Sequence, residues 1–185
     1  MIALALAALL YSPAGLLASN PLPAGNSHGS EPIRSNVSVL FFGSSLDDDG
    51  WGDLDSPIGI GLEYDAYRPS GLGLGWEGGL SYAIDGAGDS NLGLSEVFLG
   101  LRMTWGKALR PYIGFGTSLI SESIGDDPSI SIDESVFGGY VHGGVYWQPS
   151  RFKLGVDVRA VVGSAFDSGL DSDHIQGGLV LGYSL

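Results

Sequence analysis

The sequence predicts an all-β protein: an eight-stranded antiparallel up-and-down transmembrane β-barrel. Three observations carry that expectation. Eight stretches of alternating apolar and small or polar residues run from Asn36 to Leu185, the period-2 pattern of strands with one apolar face. The connections between them alternate strictly between short turns bearing Lys, Arg and Pro and mostly longer loops full of Asp. The long stretches reach about ten residues, enough for a tilted strand to cross the hydrocarbon of a bilayer.

The chain opens with ten apolar residues, Met1 to Leu10, followed by small residues at Ala14-Gly15 and Ala18-Ser19. Residues 1–18 are expected to be a signal-peptide remnant, although the first basic residue is Arg34 and a positive leader region is missing. The competing reading is an apolar helix packed on the domain. Residues 19–35, rich in Pro, Gly, Ser and Asn, read as a flexible linker, and residues 36–185 as the barrel.

In the second strand Ile58, Ile60, Leu62, Tyr64 and Ala66 share one face and Gly59, Gly61, Glu63 and Asp65 the other. The third, fifth, seventh and eighth repeat the division, led by Leu74, Ile113, Leu154 and Leu179 on the apolar side. The first (Val37, Val39, Phe41) and sixth (Val141, Val145, Trp147) are less regular. The fourth changes phase, with Leu92 and Leu94 at even positions but Val97, Leu99, Leu101 and Met103 at odd ones, so a bulge is expected near Ser95-Glu96.

The opposite face is poor in charge and rich in Gly, unsuited to a water-facing surface. In a membrane barrel the large apolar residues face lipid and the small and polar ones fill a narrow interior. Gly155, on that inward face, is accordingly expected to tolerate Ser. Trp105, Trp147, Phe152 and Tyr183 fall on the lipid side beside the basic turns, as an interfacial girdle. The alternative is a soluble barrel of lipocalin type, with the same aromatics in its core.

The composition fits two very different surroundings. Charged residues make up 16% and Gly 31 of 185, and no run of 18 apolar residues offers a spanning helix. A net charge of -13 excludes a nucleic-acid footprint. With no Cys there is no disulfide framework or thiolate site.

The region from Asn36 to Leu185 resembles the small eight-stranded bacterial outer-membrane barrels of the outer membrane protein A transmembrane-domain and outer membrane protein X type. Its last strand, Leu179-Val180-Leu181-Gly182-Tyr183-Ser184-Leu185, is similar to the terminal signal read by the barrel-assembly machinery, with Leu where those proteins usually end in Phe. The resemblance implies a Gram-negative outer-membrane location with the acidic loops extracellular and the short basic turns periplasmic. It implies contact with outer-membrane lipid and lipopolysaccharide; because the chain stops at the last strand, no peptidoglycan-binding domain is expected to follow it.

By parity the inward face carries Glu63, Asp65, Glu77, Glu96 and Asp157 together with Arg102, Arg110, Lys153 and Arg159. Buried charges are costly unless paired, so these nine are expected to form a lumen charge network. Two readings follow: a salt-bridged plug that closes the barrel, or a porin-like gated path for ions or small solutes. His142 also faces inward, and His174 lies near Ser172 and Asp173. No Ser-His pair stands at a spacing suited to a lipid-modifying hydrolase, so the expectation is no enzyme and no cofactor. Asp47, Asp48, Asp49, Asp53 and Asp55 crowd the first long loop. They are candidate ligands for divalent cations, which favour carboxylate oxygen, although Trp51 stands where a ligand would be expected. The expected role is structural or surface-interacting, with a channel or a lipid-modifying enzyme as alternatives.

Overall fold

The structure, a computed structural model, describes residues 33–46, 55–69, 72–87, 90–124, 132–163 and 173–185. Residues 1–18 and nearly all of the expected linker lie outside the described set. The described residues hold eight strands. They are β1 (Arg34–Leu46), β2 (Ile58–Tyr67), β3 (Leu74–Ala87), β4 (Ser90–Thr104), β5 (Leu109–Ile124), β6 (Ile132–Trp147), β7 (Phe152–Val162) and β8 (His174–Ser184). β1 begins at Arg34, so the strand takes two residues from the expected linker.

Each strand pairs antiparallel with the next, and β8 pairs with β1 to close the barrel. Closure removes every free edge along the paired lengths, which a strand protein in lipid requires. Cross-strand partners run Asn36, Asp65, Glu77, Gly100, Gly116, Tyr140, Val161, His174 and back to Leu46 instead of Asn36. The strands are therefore staggered by ten residues around the circuit. Such shear tilts them and leaves an interior that side chains can fill.

The outward face is apolar. Ile60, Leu99, Phe115, Leu154, Val156, Leu179 and Leu181 are all exposed, whereas the alternate residues Glu63, Glu77, Arg102, Lys153 and Asp157 are buried. A water-soluble barrel would show the reverse. At the short-turn end Trp105, Trp147, Phe152 and Tyr183 stand on the outside. A bond from Trp105 N to Pro111 O (3.1 Å) closes the β4–β5 turn, and one from Gln148 N to Ala108 O (2.7 Å) joins it to the β6–β7 turn. Gly106, at φ 91°, supplies the left-handed residue that the β4–β5 turn needs.

Two sequence expectations are corrected. The β3–β4 and β4–β5 registers run without interruption past Ser95 and Glu96, so there is no bulge. Leu92 and Leu94 are instead inward residues, buried with Phe42, Leu46, Ala83, Phe98, Ile120, Tyr140 and Val161 in an apolar cluster. The apolar face of β4 thus does not slip; its interior changes from polar to apolar toward the acidic-loop end. Gly155, in turn, has no room for a side chain. A Cβ there would lie 2.5 Å from Val145 O and 2.6 Å from Tyr146 Cβ.

These observations generate a paired prediction on β7. Val156→Arg places a charge on the apolar outside and should cost about 2–4 kcal/mol at mid-membrane depth, reducing folding yield in lipid vesicles. Gly155→Ser should also reduce it, through backbone displacement, while Gly177→Ala, with nothing within 4 Å of the new Cβ, should fold normally. Equal yields for Val156→Arg and Gly177→Ala contradict the assigned orientation.

Candidate functional site in the barrel lumen

Small barrels place inward residues from facing strands within side-chain reach of one another. Near the short-turn end, Lys153 Nζ donates to Asp65 Oδ1 (2.9 Å) and lies 3.6 Å from Glu63 Oε1. Arg102 sits at the centre of this group. Its Nη1 is 2.6 Å from Glu63 Oε1, 3.2 Å from Asp65 Oδ1 and 3.5 Å from Glu77 Oε2. Its guanidinium lies 3.8 Å from the ring centre of Tyr112, while Nε and Nη2 have no hydrogen-bond partner among the described residues. Arg102 is only 1% exposed, so its charge is stabilised by the three carboxylates and the aromatic face.

His142 links this group to the next layer. Nε2 lies 2.7 Å from Glu77 Oε1 and Nδ1 lies 3.0 Å from Asp157 Oδ2. Tyr112 Oη donates to Asp157 Oδ2 (2.6 Å), and Tyr140 Oη donates to Glu77 Oε1 (2.7 Å). Glycines make room for these rings. A Cβ at Gly114 would meet His142 Nε2 and come within 2.5 Å of Glu77 Oε1, and one at Gly144 would come within 2.6 Å of Tyr112 Oη.

A second ionic group lies toward the acidic-loop end. Arg159 Nη2 is 2.9 Å from Glu96 Oε1 and its guanidinium lies between Phe98 (3.9 Å) and Tyr140 (4.0 Å). Ser118 Oγ donates to Glu96 Oε1 (2.5 Å) and accepts from Arg159 Nη2 (3.2 Å). Tyr140 is thus the bridge: its hydroxyl serves the first group and its ring the second. Beyond it lies the apolar cluster of Leu92, Leu94, Ile120 and Val161. That end also encloses polar groups: Glu122, His174 and Gln176 are buried there, with Gln176 Nε2 2.9 Å from His174 Nε2.

Eight of the nine residues predicted for the lumen network form these two groups. Arg110 does not join them. Its Nε donates to Lys107 O (2.6 Å) and its Nη1 to Tyr67 Oη (2.5 Å), and it has no ion pair among the described residues. It sits at the first residues of β5, where the turn carbonyl is nearer than any inward carboxylate. Parity reasoning set His142 on the inward face but left it outside the network, and did not include Tyr112, Tyr140, Ser118 or Asn36. Asn36 Nδ2 donates to Asp65 Oδ2 (2.6 Å) and its Oδ1 accepts from Gln148 (3.2 Å). Their inward parity was visible; their partners lie across the barrel and depend on the shear.

Of the candidate cation ligands, Asp47, Asp48, Asp49 and Asp53 lie outside the described residues. Asp55 is exposed, and its Oδ1 accepts from Ser56 Oγ (2.8 Å). In the lumen Glu63, Glu77 and His142 present ligand atoms within 4.8 Å of one another. Arg102 already lies against both carboxylates there.

No protein-family model matches the chain, and no curated protein matches it. Solved structures do. The attachment invasion locus protein of Yersinia pestis aligns with a TM-score of 0.61 at 18% identity, over 82% of this chain and 98% of that one. Neisserial surface protein A aligns with a TM-score of 0.58 at 14% identity, covering 83% and 96%. The outer membrane protein OprG of Pseudomonas aeruginosa gives 0.57 at 14% identity, covering 84% and 97%. The fold is that of the small eight-stranded outer-membrane barrels.

Two substitutions read the lumen network. Arg102→Met leaves Glu63, Asp65 and Glu77 with fewer cations and should lower stability by about 3–5 kcal/mol, seen as a lower urea midpoint in vesicles. Tyr140→Phe removes one hydrogen bond to a carboxylate but keeps the ring against Arg159, and should cost about 1.5–3 kcal/mol. An unchanged midpoint for Arg102→Met contradicts the network.

Proposed function

We propose that the chain is a bacterial outer-membrane barrel that acts through its exposed rim, with a structural or surface-interacting role, and that its lumen does not conduct. The observation that carries this reading is the filled interior. Paired charges occupy one half, and the apolar cluster around Phe98, Leu92 and Ile120 fills the other together with the buried Glu122, His174 and Gln176. An eight-stranded interior filled by buried side chains leaves no continuous hydrated path for ions.

The acidic-loop end is where strands project. Ile132 to Gly138 of β6 pair with β5, whereas β7 begins its pairing with β6 only at Gly139. β3, β4, β5 and β6 run to 14, 15, 16 and 16 residues, against 10 for β2 and 11 each for β7 and β8. The raised strands carry two of the four acidic connections, β3–β4 and β5–β6, and we assign all four to the cell exterior, with the basic turns in the periplasm. Thirteen of the fifteen Asp fall in those loops or at the strand ends that flank them, so the rim suits divalent cations, and through them anionic lipopolysaccharide, or a basic partner. The Yersinia protein has been solved in complex with the heparin analogue sucrose octasulfate. A polyanion of that kind is repelled by the acidic rim of this chain, so that ligand is not carried over to it. In β8 the outward Leu179, Leu181 and Tyr183 present the alternating surface expected of a barrel-assembly signal.

A catalytic role is disfavoured by the position of His142. It is enclosed between Glu77 and Asp157 inside the barrel, away from the lipid surface where an acyl bond would have to be presented.

Two experiments test the proposal. In planar bilayers the folded protein should show no discrete conductance steps; regular openings would support the channel reading instead. Calorimetric titration in neutral detergent should give calcium or magnesium binding with a Kd of about 10⁻⁴–10⁻³ M, weakened when Asp47, Asp48 and Asp49 are replaced by Asn. Equal heats for both proteins contradict loop-bound cations.

A further inference from the structure

The eight basic residues fall in two places. Arg102, Arg110, Lys153 and Arg159 are buried in the lumen, and Arg34, Arg68, Lys107 and Arg151 are exposed at the short-turn end. Among the described residues no Asp or Glu side chain is exposed at that end, whereas Asp55, Asp85 and Asp173 are at least partly exposed at the other. Among the described residues the charged side chains exposed at that rim are therefore all cationic.

Beside Arg151 that face is indented. A groove of about 620 Å3 runs across β6, β7, β8 and β1. Its tall walls are Trp147, Phe152 and Tyr183, and its floor includes Val37, Val39 and Gly182. The walls are fixed by pairing and packing. Phe152 is opposite Tyr183 in the register, with ring centres 5.5 Å apart edge to face. The floor is low because Val37 and Val39 are short and Gly182 has no side chain. Its lining is almost wholly apolar, and the groove ends at the turn that carries Arg151, whose carbonyl accepts from Ser184 N (2.7 Å).

We propose that this groove is a binding site for an anionic phospholipid of the leaflet at the short-turn end, its acyl chain lying along Val37 and Val39 and its phosphate meeting Arg151. An apolar channel between rigid aromatic walls takes a hydrocarbon chain, and Trp and Tyr favour the headgroup level. A cation in the turn at its end, with no exposed Asp or Glu side chain beside it among the described residues, favours a net-negative headgroup over a zwitterionic one. The inference rests on the membrane-spanning reading.

Trp147 lines the groove and reports on its occupant. A variant with Trp51, Trp76 and Trp105 each replaced by Phe leaves it as the sole indole. This protein is folded into phosphatidylcholine vesicles containing either brominated phosphatidylglycerol or brominated phosphatidylcholine, and bromine quenches indole only near contact. Phosphatidylglycerol should quench with about fivefold higher relative association, the preference one Arg at an anionic surface supplies. Arg151→Gln should bring the ratio close to one, Arg151→Lys should retain most of it, and Lys107→Gln, in a different turn, should leave it unchanged. A ratio near one in the parent overturns the site. So does a preference that survives Arg151→Gln, or falls equally with Lys107→Gln, since that is the diffuse potential of the rim. Failure to insert overturns the membrane reading and the site together, whereas insertion with a ratio of one overturns the site alone.

Discussion

An eight-stranded barrel has too narrow an interior to hydrate the charges it encloses, so those charges must neutralise one another where they stand. The rest of the structure follows from that constraint. Arg102 reaches three carboxylates because β2, β3 and β4 are adjacent and its own side chain is long. Lys153 reaches Asp65 and Glu63 from β7, across the interior rather than along the sheet. The network is therefore a set of cross-barrel ties, and it penalises any register that would separate the partners. Glycine at Gly114 and Gly144 is the complement of the same constraint, since the bulk of His142 and Tyr112 occupies the space a Cβ would need.

The character of the interior changes at Tyr140: toward the acidic-loop end apolar side chains surround the remaining polar ones, among them the Glu96–Arg159 pair, Glu122 and His174. Phe98 and Tyr140 meet edge to face, with ring centres 5.6 Å apart. The apolar cluster beyond them requires no charge compensation. This division explains how one narrow lumen can hold so many charges and still be closed: the ion pairs give specificity of register, and the aliphatic layer excludes water. The outside divides along the same axis. Cations gather at the short-turn rim beneath an aromatic belt, and the acids at the opposite rim, where the longest strands project.

Much of this was legible in the sequence. Period-2 alternation located all eight strands, and it placed Glu63, Glu77, Arg102 and Arg159 on the inward face. It misread β4, where Leu92 and Leu94 looked like a lipid-facing pair out of phase; an inward face that is apolar at one end mimics a bulge in any scheme that assumes a uniformly polar lumen. Parity also treated Gly155 as free space, because the closeness of Val145 O is a property of the neighbouring strand and not of the residue itself. Arg110 was assigned to the network by its face alone, yet its depth at the β5 start puts Tyr67 and the turn carbonyl within reach instead. The roles of His142 and Tyr140 stayed hidden for the same reason: partners across a barrel depend on the shear, which comes from all eight registers together.

The pair Glu96 and Arg159 isolates the central claim, because it is separate from the Arg102 group and shares only Tyr140 with it. A double-mutant cycle of Glu96→Gln and Arg159→Met, followed by urea unfolding in lipid vesicles, is the most direct measurement. Each single change leaves its partner charge buried and unmatched, and the double change removes both. The account predicts that the double variant is more stable than the sum of the two losses implies, with a coupling of about 0.5–3 kcal/mol. Additive losses would contradict it, for the two charges would then be buried without depending on each other.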